Sequence, residues 1–277
     1  MIDFEPHRAH LRGVAYRMLG SLAEADDAVQ VGWVRLDRAD PHDVANPRGW
    51  LTTVVARISL DMLRARASRR EESLDPRGER SAPADAAEEL MLVDAVGLAL
   101  LVVLDRLEPA ERIAFVLHDL FGLPFDEIAA IVGRSSDATR QLASRARRRV
   151  QGSPPPAAEL ASQRHLVVSF IDALRRGDVE GLIAVLDPDV VGRAVDPTGA
   201  VREVRGARTW ASGAVAFGPL AQHMAPALID GVVGLVMAPK GRLQRVLRFT
   251  FVDGRITVAE AVIDRARLGA LDIAAMP

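Results

Sequence analysis

Arginine, glutamine and serine recur along one side of a helix that we predict over residues 136–150. Thr139, Leu142 and Ala146 repeat at helical spacing and predict a buried face, so the polar residues should point outward. Arginine can donate two hydrogen bonds to guanine, glutamine can pair with adenine, and arginines at a helix end can neutralise phosphates. The side chains predicted to contact DNA in this way are Ser136, Arg140, Gln141, Ser144, Arg145 and Arg148.

A short helix and a tight turn precede this helix. Phe125 and Ile128 lie on one apolar face, and Gly133 stands at a helix stop where a left-handed residue costs little. Ser135 or Ser136 can cap the second helix. A helix, a glycine turn and a second helix with outward arginines suit insertion in a DNA major groove. The alternative is a helical hairpin whose arginine-rich end is only a solvated face that complements the helix dipole.

Composition limits the class of protein. A chain of 277 residues can hold two or three domains, and its net charge of −2 means that any DNA contact must come from local patches. There is no cysteine, which excludes disulfides and cysteine metal sites, and no cluster has the spacing of a cofactor site. We find neither a signal peptide nor an apolar run that could span a bilayer, so we expect a cytoplasmic protein without cofactors or membrane contact.

The N-terminal quarter has a helical pattern throughout. We predict helices over about His10–Leu19, Ala23–Leu36 and Pro47–Arg66, with Trp33 directed inward. The second helix leaves an acidic outer face, whose polar residues are Asp26, Asp27 and Gln30. The third carries a polar stripe beside its apolar face, and this stripe includes Thr53, Arg57 and Arg64.

Three stretches together resemble one protein family. They are YRMLGSLAEADDAVQ, NPRGWLTTVVARISLDMLRARASRR and the helix pair described above. In this order and spacing they resemble regions two and four of bacterial extracytoplasmic-function (ECF) RNA polymerase sigma factors, over Phe4–Arg70 and Val93–Val150. The resemblance implies that Asp26, Asp27 and Gln30 bind core RNA polymerase, and that the helix over residues 136–150 reads the −35 element of promoter DNA.

The same resemblance assigns the −10 element to the loop Asp40–Asn46 and the helix after it. Without it we would place Trp50 in the core, and core packing stays as credible for this residue as DNA contact. The residues implied at the −10 element are Asn46, Arg48, Trp50, Thr53, Arg57 and Arg64.

Two segments of low apolar content divide the chain. Residues 71–89 are charged and contain two prolines, which predicts a flexible linker. QGSPPP, at Gln151–Pro156, marks a second boundary, and we predict a proline-rich spacer over residues 153–161. The prediction is therefore a multidomain chain with two all-α sigma domains followed by an α+β domain. The three domains cover residues 1–70, 90–152 and 162–277.

The last segment changes from helical to strand-forming patterns. Two helices broken at Gly177–Asp178 precede β-rich runs with turns such as Asp253–Gly254, which predicts an antiparallel sheet and a tail after Ala270. FIDALRRGDVEGLIAVLDPDVV, VRGARTW and VLRFTFVDGRITVAEAVID resemble the SnoaL-like fold, which one subgroup of ECF sigma factors carries at the C-terminus. The predicted strands are Asp189–Val195, Met224–Ile229, Val232–Met237, Leu243–Phe251 and Ile256–Ile263.

SnoaL-like cones in other proteins hold a ligand pocket, and some use an aspartate as acid or base. The residues that could line such a pocket here are Asp187, Arg193, Trp210 and His223. The tripeptide Asp187–Pro188–Asp189 is also typical of a turn. A packing role for this domain is therefore a stronger alternative than a ligand pocket.

We therefore expect a non-enzymatic alternative sigma factor, regulated in cis by contact between its C-terminal domain and region two or four. The alternative is a ligand-responsive DNA-binding regulator whose cone binds or transforms a small molecule.

Overall fold

A computed structural model describes most of the chain as two compact units. The first unit combines Met1–Val96 with Leu104–Arg148, and the second combines Gly97–Val103 with Arg149–Pro277. No helix in the described part of the chain is long and apolar enough to cross a membrane. The residues described are 4–37, 46–72, 97–195 and 201–276.

The helices of the first unit agree closely with the sequence pattern. A π-helical segment, Val116–Leu120, follows the helix Pro109–Phe115. The helix before that one, Leu98–Asp105, begins in the second unit and ends in the first. The helices are α1 (Glu5–Leu19), α2 (Leu22–Asp37), α3 (Pro47–Glu72), α4 (Leu98–Asp105), α5 (Pro109–Phe115), α6 (Phe125–Val132) and α7 (Ser136–Gln151).

Helices α1, α2 and α3 pack on one another around buried aliphatic side chains and one buried arginine. Arg66 on α3 donates to the carbonyl oxygen of Leu19 at the end of α1 and pairs with Glu24 on α2. The prediction that Trp33 faces inward is wrong. Trp33 is 49% exposed, and its outer position lets it stack on the buried Phe4 ring with centroids 5.5 Å apart.

Helices α6 and α7 form the predicted helix–turn–helix. Gly133 ends α6 with φ 72°, in the left-handed region that only glycine enters without strain. The Ser135 hydroxyl accepts a hydrogen bond from the Ala138 amide at 3.2 Å, so Ser135 caps α7. Thr139 and Ala146 are fully buried as predicted, whereas Leu142 is half-buried and Ala143, which was not predicted, is fully buried.

The second unit contains two helices followed by strands, with short helices between them. A 3₁₀ segment, Val215–His223, follows α10. The helices are α8 (Ala157–Arg176), α9 (Val179–Val185), α10 (Ala207–Ala214) and α11 (Arg265–Ala270). The strands are β1 (Leu186–Val195), β2 (Val201–Arg205), β3 (Met224–Ile229), β4 (Val232–Met237), β5 (Arg245–Val252), β6 (Arg255–Val262) and β7 (Ile273–Ala274).

The described strands form a seven-stranded sheet in the order β2-β1-β6-β5-β4-β3-β7. The expectation of a wholly antiparallel sheet is wrong in one place, because β1 runs parallel to β6. The chain that connects β1 to β6 contains the helix α10 and the four strands β2 to β5, and such a long connection allows a parallel pairing. The predicted α+β architecture is confirmed.

Two strands were not predicted, for different reasons. In β2 every side chain is exposed, since it is an edge strand with charged residues and carries no apolar alternation. Strand β7 lies in the segment after Ala270 that we expected to be a tail, yet Ile273 is buried and pairs with Ile229. Helix α8 also begins at Ala157, inside the predicted proline-rich spacer.

The core of the second unit lies between α8 and one face of the sheet. Phe170 packs edge-on against Phe249 at 5.2 Å and against Trp210 at 5.6 Å. A Cβ atom at position 192 would overlap the Trp210 indole, so only glycine leaves room for that ring on β1.

Gly192→Ala should therefore destabilise the second unit by about 1–3 kcal/mol, because the added methyl group overpacks the core beside Trp210. Faster hydrogen exchange in peptides from β1 and β6 would measure the effect. Gly213→Ala is the matched control, since no atom lies within 4 Å of its added Cβ and alanine favours the helix. Equal exchange in both variants would contradict the packing described here.

Candidate nucleic-acid interface

The predicted −35 residues occupy the outer side of α7. Gln141, Ser144 and Arg148 are exposed, as the helical spacing requires. Arg140 pairs with Asp137 at 2.7 Å and lies over the Phe125 ring, 5.5 Å from its centroid. Ser136, at the start of the helix, donates a hydrogen bond to Asp126 of α6.

Two arginines of α7 are held by carboxylates from α5 and the π-helical segment. Arg145 donates through Nε to Glu111 Oε1 at 2.8 Å, and Arg147 donates to Asp119 Oδ1 at 2.7 Å. These partners stand 34 and 28 residues away in the chain, so no local pattern indicates them. The sequence reading included Arg145 in the site and missed both carboxylates.

The predicted −10 residues begin at the N-terminus of α3. Asn46 caps the helix by accepting from the Gly49 amide at 3.1 Å, and the Thr53 hydroxyl donates to the Gly49 carbonyl oxygen at 3.1 Å. Trp50 is half-buried, so its burial does not decide between core packing and DNA contact. The remainder of the loop Asp40–Asn46 lies outside the described residues.

Arg48 faces a histidine of α1. Its Nη2 atom lies 3.2 Å from His10 Nδ1, and the other ring nitrogen lies 3.4 Å from the Thr52 hydroxyl. Burial lowers the pKa of His10 below its ordinary value, and the positive charge of Arg48 lowers it further. The lowered pKa favours the neutral imidazole, which can accept a hydrogen bond from Arg48.

The other two predicted −10 arginines contact the C-terminal end of α6. Arg57 donates to the Ala130 carbonyl oxygen and Arg64 to that of Val132, each at 3.4 Å. Helix C-terminal carbonyls carry partial negative charge and lack intrahelical donors, so they are natural acceptors for arginine.

Phe121 strengthens this packing of the two modules within the first unit. Its ring meets the His10 ring edge to face at 5.5 Å, and the Arg17 guanidinium lies 5.4 Å from its centroid. Both predicted DNA-reading modules are thus held together in one compact unit.

The predicted polymerase-binding residues lie on α2 but are not equivalent. Asp26 is ion-paired with Arg12 of α1, with Nε and Oδ1 2.7 Å apart. Asp27 and Gln30 are exposed on the same helix. Asp26 therefore helps to join α1 to α2, and a charge reversal there would disturb that contact.

The four residues predicted to line a ligand pocket make separate local contacts. Asp187 accepts a hydrogen bond from the Asp189 amide at 2.9 Å, and Arg193 pairs with Glu203 on β2. Trp210 packs in the core, and His223 lies at the end of the 3₁₀ segment beside Gln222. An open cavity of about 450 Å³ in this unit is lined by other residues, including Leu174, Arg175, Gly218 and Gln222.

Comparison with known proteins places both modules in named families. Residues 4–69 match the model of Sigma-70 region 2, and residues 97–150 match that of Sigma-70, region 4. The probable ECF RNA polymerase sigma factor SigI of Mycobacterium tuberculosis is 43% identical over 192 residues, which cover 67% of this chain and 66% of SigI. SigJ of the same organism is 41% identical over 222 residues, 74% of this chain and 68% of SigJ.

Solved structures give weaker spatial matches. The crystal structure of SigJ covers 96% of this chain and 98% of its own, with 34% identity and a TM-score of 0.49. An NTF2-like protein of unknown function from Burkholderia pseudomallei covers 39% of this chain with 21% identity and a TM-score of 0.25. The two region matches and the identity to SigJ establish that the chain belongs to the ECF RNA polymerase sigma factors.

Proposed function

We propose that this chain binds core RNA polymerase and directs transcription initiation at promoters whose −10 and −35 elements it reads. The observation that carries the proposal is the combination, in one compact unit, of a helix–turn–helix with outward arginines and a helix with exposed Asp27 and Gln30. The chain itself catalyses no reaction in this proposal, and it acts in the cytoplasm with the polymerase.

The contacts of Arg57, Arg64 and Phe121 suggest how the free chain is kept from promoters. In this arrangement Arg57 and Arg64, two of the predicted −10 residues, each use a terminal amino group to bind a carbonyl oxygen of α6, so promoter DNA must compete with region four for them. Regions two and four must separate before each can reach its own promoter element. The described packing is therefore the closed form, which core polymerase opens.

The C-terminal domain is proposed to regulate initiation in cis. The compact unit that contains this domain also contains residues 97–103, which are the first residues of the region four match. Leu98, Leu101 and Val102 in that segment are buried. We infer that the domain holds the beginning of region four and thereby biases its position.

A ligand-responsive regulator is the second candidate function. It would bind duplex DNA without polymerase and respond to a small molecule. Arg193 is neutralised by Glu203 and Trp210 is packed among core aromatics, and both contacts favour packing over ligand binding at the predicted pocket.

Asp27→Arg should abolish pull-down of core RNA polymerase, because it reverses the charge of an exposed acid on the proposed docking helix. Helical circular dichroism should stay unchanged. Asp37→Arg is the matched control, an exposed acid at the end of the same helix outside the predicted docking set. Retention of core enzyme by the Asp27 variant at the level of the control would remove α2 from the interface.

A covalent lock tests the closed form. The chain has no cysteine, so His10→Cys with Phe121→Cys can be bridged selectively by a short bismaleimide. The bridged protein should fail to support transcription with core enzyme, whereas the same variant capped with a monofunctional maleimide should support it. Glu5→Cys with Ala9→Cys, bridged within α1, controls for the reagent. Full activity of the locked protein would show that regions two and four need not separate.

Removal of the C-terminal domain tests regulation in cis. A chain that ends at Gln151 should be cut faster by chymotrypsin within α4, because residues 97–103 would lose the remainder of their compact unit. Its transcription from a cognate promoter should differ from that of the full chain. A second shortened variant, ending at Ala270, lacks β7 and the hydrogen bond that the Ala275 amide donates to the Val150 carbonyl oxygen. The proposal fails if both shortened chains resist protease and transcribe as the full chain does.

A further inference from the structure

Glu111 is a carboxylate buried beneath the predicted reading helix. It lies in the first turn of α5, and its side chain is 5% exposed while that of Arg145 is 47% exposed. Its Oε1 atom accepts from Arg145 Nε at 2.8 Å. A buried charge is tolerated only when it is paired, so Glu111 needs a cation at this position.

The geometry of the pair leaves the reading end of Arg145 available. Nε is the guanidinium nitrogen nearest the aliphatic stem, and the two terminal amino groups lie beyond it. A hydrogen bond at Nε fixes the guanidinium plane without using those terminal donors. A fork that is fixed in advance loses less side-chain entropy when it binds two acceptors on a base edge.

The other arginines of α7 are held differently. Arg140 pairs with an exposed aspartate one turn earlier on its own helix, and Arg148 is exposed. Arg147 binds Asp119 through two nitrogens, Nε at 2.7 Å and Nη2 at 2.6 Å, so one terminal amino group is already engaged. Among the predicted −35 residues in the described structure, Arg145 is therefore the arginine held by a buried acid.

We propose that Glu111 is a positioning residue for base readout. It fixes the Arg145 guanidinium so that the terminal amino groups recognise one guanine in the −35 element. This inference rests on the proposed function, because it assigns a role within promoter recognition. In the alternative, the pair only joins α5 to α7 and reads nothing.

The test is the base preference of reconstituted holoenzyme. Full-length protein and core polymerase are assayed for binding to promoters that carry every single base-pair change in the −35 element. A bidentate arginine–guanine contact discriminates about 5- to 150-fold against other bases. Arg145→Ala should remove the preference at one base pair, and Glu111→Gln should reduce it at least about fivefold at that same base pair.

Three further variants separate positioning from scaffolding. Arg145→Lys keeps the charge beside Glu111 but lacks the fork, so it should fold, bind and lose the same base preference. Asp119→Asn loosens the comparable pair of Arg147 and should leave that preference intact. Arg148→Ala should weaken binding to all sequences alike and flatten its salt dependence, as loss of a phosphate contact does.

The outcomes distinguish this inference from the proposed function. If the unaltered holoenzyme shows no promoter preference, the proposed function itself fails. If it shows a preference that Glu111→Gln and Arg145→Lys both retain, Arg145 is not positioned for readout by Glu111. Uniform weakening across the panel by both variants, with every base preference unchanged, would identify the pair as a scaffold contact and would overturn the inference.

Discussion

Carboxylate–arginine pairs buried between helices are the interaction on which both sigma modules depend. In region two, Arg66 joins the ends of α1 and α2 through Leu19 and Glu24, and Arg66 is 9% exposed. In region four the buried member of the pair is the acid, because Glu111 of α5 is 5% exposed and binds Arg145 of α7. Removing one partner leaves the buried partner with an uncompensated charge, and because Glu24 is 28% and Arg145 47% exposed the cost is below the about 3–5 kcal/mol of a fully buried pair. The Arg66 pair therefore joins the ends of α1, α2 and α3, and the Glu111 pair lies directly beneath the outer face of α7.

The same chemistry explains why the exposed arginines can serve more than one partner. A guanidinium with no fixed carboxylate can bind a phosphate, a base edge or a helix C-terminus, because all three offer oxygen acceptors. Arg57 and Arg64 bind the end of α6 in the described structure. Competition between these carbonyl oxygens and promoter DNA would make closure reversible. Since the contacts are 3.4 Å long and partly exposed, they are weak enough to be displaced.

Local signals made the helix–turn–helix predictable from sequence. Gly133 adopts the left-handed conformation and Ser135 caps α7, and both features depend only on neighbouring residues. Trp33 and the carboxylate partners of Arg145 and Arg147 could not be predicted, because each depends on residues distant in the chain, whereas β2 was missed because it has no apolar alternation. Phe4 stacks on the exposed Trp33, and Glu111 binds Arg145. Helical spacing predicted which side chains lie on the outer face of α7. It could not predict the carboxylates that bind Arg145 and Arg147.

A sigma factor should act on promoters only as part of RNA polymerase. Run-off transcription with purified core polymerase, on a fragment library of the source genome, measures this directly. The account predicts discrete transcripts that require the added chain, together with weak binding of the chain alone to the same duplex fragments. Tight, sequence-specific binding by the chain alone, with no transcript from core enzyme, would contradict it and identify an ordinary DNA-binding regulator.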